Sequence, residues 1–180
     1  MKMITQKLFK TLLFLILTTT SFAQTQGWTK DEKYFYATMK SLCEHFKGKT
    51  YDTTQRDFVF KEFVYFDNIL SDTSKTRIEK RIEWFDGLFY KMTHFIDSVG
   101  FQNLEAKPTT YFKDNKTFFE HYDKGGELNK LLPLTLTYFD KRRPNEPIGT
   151  LLFERKTHKL LAWVIIDQGG YRYFLTFNLV

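Results

Sequence analysis

The chain has 180 residues, with 27 Lys and Arg against 21 Asp and Glu, a single Cys, and Phe, Tyr and Trp making up 18% of positions. One Cys excludes an intramolecular disulfide framework, and the length suits one core that needs no covalent staples. A net charge of +6 would fit a nucleic-acid partner only if it sat on the folded domain, and half of it does not.

That half lies in the first residues. Lys2, Lys7 and Lys10 precede an unbroken apolar run, Leu12 to Leu17, and the stretch ends in Ser21-Phe22-Ala23. A positive start, a short apolar centre and small residues two apart are the pattern of a secretory signal cut after Ala23. The apolar run is too short to span a bilayer, which takes about 20 residues. Residues 1–23 are therefore expected to be a signal peptide and residues 24–180 a single α+β domain, with Gln24 as the new N-terminus. No Cys at the junction invites a lipid. Removing three Lys leaves 24 basic and 21 acidic residues, a charge of only +3. No nucleic-acid partner is expected, and no transmembrane segment in the mature chain. The expected location is the periplasm or the extracellular medium.

The first mature element is a helix over about 30–47. Thr29 and Glu32 have capping-box spacing, and Phe35, Met39, Leu42 and Phe46 recur on one face. Residues 55–70 carry both helical spacing (Val59, Phe63, Phe66, Leu70) and an interrupted alternation (Phe58, Phe60, Val64, Phe66). Their length favours a helix. Over 75–99 the positions Ile78, Ile82, Phe85, Phe89, Met92 and Ile96 step by four and three, and Trp84, Leu88 and Phe95 add a second apolar face. Such a helix is expected to be central. It is capped from Asp72-Thr73-Ser74 or through Thr76 and Glu79, and Gly100 is placed to end it.

Residues 101–133 are irregular. Pro108 interrupts them, Asp114-Asn115 caps a short helix to about Tyr122, and Glu127 to Leu132 adds one turn after Gly125-Gly126. The remainder is rich in β-formers. Leu134–Phe139, Ile148–Phe153, Leu160–Ile166 and Tyr171–Leu179 are separated by short polar turns, and connections so short demand antiparallel neighbours. The expected fold is α+β, with N-terminal helices packed on a four-stranded antiparallel meander over about 134–179. Helices held on the concave face of a curved meander resemble, in outline, nuclear-transport-factor-2-like and cystatin-like domains; a shared outline carries no activity.

Each group with chemical potential has a plainer structural role. Cys43 shares a helical face with Met39 and Phe46 and reads as a buried apolar residue. His45, His94, His121 and His158 are too widely spaced for a zinc pair, so no metal and no cofactor are expected. The run Arg77, Glu79, Lys80, Arg81 and Glu83 reads as a solvated helix face. Lys141-Arg142-Arg143 is a cationic loop below the size of a lipid-binding cluster.

The aromatic content is the distinctive feature. Without the leader, 30 Phe, Tyr and Trp remain among 157 residues; phenylalanine alone builds a large core, but ten Tyr are many hydroxyls to satisfy. Tyr in particular suits surfaces that are half apolar and half wet. Tyr111, Phe112, Phe118, Phe119 and Tyr122, between the helices and the sheet, are the candidate ligand-binding residues, with Gly125-Gly126 as a hinge. The first functional expectation is a non-enzymatic binding domain of the cell envelope, holding a small apolar or amphipathic ligand or a protein partner. A second is a small hydrolase or isomerase using a His and a carboxylate in a cavity. A third is a homo-oligomeric or complex-subunit module joined through the outer sheet face around Phe174.

Overall fold

The computed structural model describes residues 25, 27–66, 75–123, 127–169 and 171–176. The leader, its junction at Ala23, the Asp72-Thr73-Ser74 cap, the Gly125-Gly126 hinge and the end of the last strand lie outside these residues.

Helix α1 spans Lys30–His45. Its start is the expected capping box: the Glu32 amide donates to Thr29 Oγ1 at 3.2 Å, and the Thr29 amide donates to Glu32 Oε2 at 2.6 Å. Two orphan amides are thereby satisfied. Helix α2 covers only Arg56–Glu62, a correction to the long helix expected over 55–70. Beyond it the chain turns into the sheet edge. Leu160 donates its amide to the Phe63 carbonyl at 2.8 Å, Tyr65 donates to the Leu160 carbonyl at 2.9 Å, and Val64 forms a parallel bridge with Leu160. The alternation of apolar residues outweighed the helical spacing there, because an open sheet edge was available to satisfy the main chain. Residues 67–70 lie outside the description.

Helix α3, Lys75–Val99, runs the full expected length. Gly100 follows at φ +89°, donating to the Ile96 carbonyl at 2.9 Å. Phe85, Phe89, Met92 and Ile96 are buried. The expected second covered face does not form: Trp84 and Phe95 are about half exposed, at 49% and 47%. Arg81 also departs from the solvated face assigned to it. It is buried, with its guanidinium 4.9 Å from the Phe66 ring centre, where a delocalised cation gains from the ring face.

The sheet has four antiparallel strands in the order β1 (Leu104–Pro108), β2 (Thr135–Asp140), β3 (Pro147–Phe153), β4 (Leu160–Ala162). Between β1 and β2 come helix α4 (Lys116–Asp123), started by Asn115 Oδ1 accepting from the Phe118 amide at 3.2 Å, and the turn α5 (Glu127–Leu131). The α+β class and the four-stranded antiparallel sheet are as expected, but membership of the sheet differs. Strand β1 has only Leu104, Ala106 and Pro108 on its buried side. Ala and Pro are poor strand formers, and Pro is tolerated because β1 is an edge. The expected third run breaks at Trp163-Val164. Its second half, β5 (Ile165–Gln168), pairs instead with β6 (Tyr171–Phe174) as a separate two-stranded sheet.

Helices cover both faces of the main sheet, not one. On the first face Phe35, Met39, Phe46, Phe85 and Phe89 pack on Leu136, Leu151 and Phe153. On the second, Phe119, Tyr122 and Leu128 pack on Leu152, Ala162 and Phe174. Adjacent residues Leu151, Leu152 and Phe153 serve opposite cores because strand side chains alternate. Burial on both sides explains why every residue of β2 is buried. Each buried Phe or Leu contributes about 1.5–3 kcal/mol.

Candidate functional site

Four of the five proposed site residues form one aromatic chain. Phe112 meets Phe118 at 5.8 Å and Phe139 at 5.8 Å, Phe118 meets Tyr122 at 5.8 Å, and Tyr122 meets Phe119 at 5.4 Å. Tyr111 is not among them. It is 55% exposed and turns its ring to Trp28, 6.4 Å away. Phe112 and Phe119 are buried against the second sheet face. Only Phe118 and Tyr122 reach an open space.

That space is a pocket of about 320 Å³, within the range of small-ligand sites. Helix α4 supplies Phe118 and Tyr122 as one wall. Tyr138 comes from β2, Ile148, Gly149 and Thr150 from β3. Trp163, Ile165 of β5 and Arg172 of β6 close the other side. The gap exists because of two irregularities. Phe139 pairs with Pro147 while Tyr138 pairs with Gly149, so Ile148 is an unopposed bulge residue. Strand β4 pairs only with Leu152 and Phe153 of β3. Beyond Ala162 the chain leaves the sheet, and the edge of β3 beside Ile148–Thr150 faces the pocket instead of another strand.

The polar groups of the site fall into two sets. The first is closed. Tyr122 Oη and Thr150 Oγ1 are 2.7 Å apart, Thr150 lies 3.4 Å from Thr137 Oγ1, and Thr137 and Thr135 both donate to Thr109 Oγ1, at 3.0 and 2.7 Å. This buried hydroxyl ladder fixes the Tyr122 wall. Burial pushes the Tyr122 phenol up, opposed by its bond to Thr150 and by the charge of Arg172.

The second set is open. Tyr138 is only 8% exposed, no described residue hydrogen-bonds its hydroxyl, and burial pushes it up to about 12. Its ring lies over Gly149: a Cβ placed there would sit 2.7 Å from Tyr138 Oη. Arg172 lies at the mouth, with Nε 3.5 Å from Asp167 Oδ2. Among the described residues no carboxylate lines the pocket.

The other candidates have structural roles. Cys43 is buried beside Met39 Sδ at 3.5 Å, and burial pushes its thiol up to about 12, away from nucleophilic character. His45 is flanked by Phe46, Phe58 and Phe63, and burial lowers its pKa. His94 stacks on Tyr90, and His158 stacks on Tyr34 with Nε2 3.7 Å from Asp31. Neither lines the pocket; the side chain of His121 lies outside the description. Arg142 is paired with Asp140, Arg143 with Glu146, and Lys141 donates to the Gln102 carbonyl. Phe174 is buried in the second core, which corrects the outer sheet face assigned to it. Among the described residues no three of His, Cys, Asp and Glu group closely enough to hold a metal ion, and no helix is long and apolar enough to cross a membrane.

Tyr138, Gly149, Trp163 and Arg172 were not singled out from the sequence. The signal for the first two was present. The hairpin connection is short enough to bring Tyr138 opposite a glycine, and an aromatic over a strand glycine is a recurrent pairing. The other two depend on where β4 stops, which residues of uniform β-propensity do not reveal. No family model, curated protein or solved structure matches the chain.

Proposed function

We propose that the protein is a non-enzymatic binding domain, exported to the periplasm or the medium, that holds a small amphipathic ligand between α4, the β3 edge and the β5–β6 hairpin. The observation that carries this reading is the pocket of about 320 Å³ with Phe118, Tyr122, Tyr138 and Trp163 around it. A space of this size walled by aromatic rings with few polar groups is the usual form of a small-molecule site. Export rests on the leader pattern.

Native mass spectrometry of protein purified from its own cell envelope tests both parts. The expected spectrum shows a chain beginning at Gln24 with a bound small molecule lost on denaturation. The same protein should take up the neutral probe N-phenyl-1-naphthylamine, with enhanced fluorescence. Ile148→Trp and Ile165→Trp, which fill the space from two sides, should abolish uptake while unfolding as cooperatively as wild type. A wild-type chain that arrives bare and ignores the probe overturns the binding reading; a mass beginning at Met1 overturns export.

A further inference from the structure

The apolar walls say that a ligand fits, but the polar groups say which charge it carries. Four rings around one space would suit a quaternary ammonium through cation–π attraction. Arg172 argues against that, because its guanidinium borders the same pocket and no carboxylate among the described lining residues offsets it. Its ion pair with Asp167 is a loose one, with Nε 3.5 Å from Oδ2. Both terminal NH2 groups of Arg172 are left without a partner among the described residues. A planar guanidinium with donors to spare is the side chain best shaped for a carboxylate or sulfonate.

The second donor is Tyr138. The residue is 8% exposed and part of the pocket wall, and no described residue hydrogen-bonds its hydroxyl. A phenol on a pocket wall that no protein group engages is free to donate its proton in a hydrogen bond to whatever fills the pocket. The neighbouring Tyr122 hydroxyl is already engaged by Thr150 at 2.7 Å. The two tyrosines therefore differ: one is a structural strut and the other a donor held ready. With burial pushing the Tyr138 phenol up to about 12, it keeps its proton at neutral pH.

Resting on the binding reading above, we propose that the ligand is an organic anion, a carboxylate or sulfonate with an aromatic or short aliphatic body. Its body lies against Phe118 and Trp163, its head takes hydrogen bonds from Arg172, and the Tyr138 hydroxyl donates to an oxygen inside the pocket. Arg172 supplies the sign of the charge and Tyr138 the orientation.

The test compares two probes with the same ring systems, neutral N-phenyl-1-naphthylamine and anionic 8-anilino-1-naphthalenesulfonate, by fluorescence titration of the full protein. Wild type should bind the sulfonate about tenfold more tightly than the neutral probe, the low end for charge-assisted hydrogen bonds at a half-exposed cation. Arg172→Gln should erase that preference, weakening the sulfonate about tenfold more than the neutral probe. Tyr138→Phe, which keeps the ring, should weaken the sulfonate several-fold more than the neutral probe, while its unfolding midpoint stays level or rises. Ile148→Trp should abolish both, which separates the pocket from exposed rings such as Trp84. If both probes bind equally and Arg172→Gln changes nothing, the anion inference fails and the pocket reading stands. If the neutral probe does not bind wild type, the pocket reading itself fails. A sulfonate signal that survives Ile148→Trp places the anion elsewhere and overturns the assignment to Arg172.

Discussion

Gly149 is a place where one added methyl group should change sign with its neighbour. A Cβ on Gly149 would lie 2.7 Å from Tyr138 Oη, 2.8 Å from Cε1 and 2.9 Å from Cζ. All three contacts are well inside van der Waals distance. The Tyr138 ring cannot swing away freely, being buried between Gly149 and the first core. Overpacking of this kind costs about 1–3 kcal/mol. Against it stands the gain from restricting the unfolded chain, about 0.4–1 kcal/mol where the backbone suits Ala. Gly149 qualifies, since its φ is not positive. Gly149→Ala should therefore destabilise by about 1–2 kcal/mol, a fall of roughly 2–8 °C in melting temperature for a chain of this size. In a Tyr138→Leu background the phenol is gone and only the gain remains, so the same substitution should stabilise by about 0.5 kcal/mol. Urea unfolding of all four proteins, followed by circular dichroism, measures the cycle. A coupling of about 1.5–2.5 kcal/mol is the expectation. The same sign in both backgrounds would refute the packing of Tyr138 over Gly149, and with it the shape given to the pocket wall.

Two further predictions probe the frame around the site. Tyr122→Phe should cost about 1–2 kcal/mol, because it removes the partner of buried Thr150; an effect below 0.3 kcal/mol, roughly the limit of such measurements, would show the hydroxyl ladder to be idle. Asp140 accepts from Arg142 Nε at 2.9 Å and from the Arg142 amide at 2.9 Å, and these bonds hold its carboxyl down from 3.8 to about 2. A depressed folded-state pKa contributes stability above the unfolded value and loses it as pH falls through the folded one. Asp140→Asn should therefore be less stable than wild type at neutral pH, with the gap closing between pH 3.8 and about 2. Urea midpoints across that interval check it, and a gap that persists unchanged to the acid end would contradict the assignment.

What could be read from the sequence was local chemistry repeated over many residues. The capping box at Thr29 and Glu32, the 25-residue periodicity of α3 and its glycine stop each need only near neighbours, and they form as written. Antiparallel pairing of the later strands follows equally from short turns. The α2 segment failed because its outcome depends on a distant partner, Leu160, whose edge offers Phe63 and Tyr65 hydrogen bonds. Strand β1 was hidden because its buried side holds Ala106 and Pro108 and not the β-branched residues that mark a strand. Of the aromatic run read from the sequence, Phe112, Phe118, Phe119 and Tyr122 lie in contact and Tyr111 does not join them. Which members face a cavity was not legible. Phe118 and Phe119 are adjacent on α4, and only the position of the sheet beneath decides that one lines the pocket and the other fills the core.

The pocket is best understood as the room left by a strand that does not continue. Strand β4 supplies three residues and then departs, so the edge of β3 near Gly149 has a side-chain-walled space where a longer β4 would have run. Such a gap normally collapses, because nearby side chains gain by filling it. Here the candidates to fill it are held elsewhere. Tyr122 is fixed by Thr150, Tyr138 by its seat over Gly149, and Trp163 by Phe85 and Phe89, at 6.0 and 5.5 Å. Three of the four aromatic walls are thus anchored in the two cores and not in the pocket. A cavity kept open by its frame pays little ordering cost when a ligand enters. That is why the proposed binding site is this gap and not the exposed rings of α3, which are as aromatic but do not enclose a pocket of this kind.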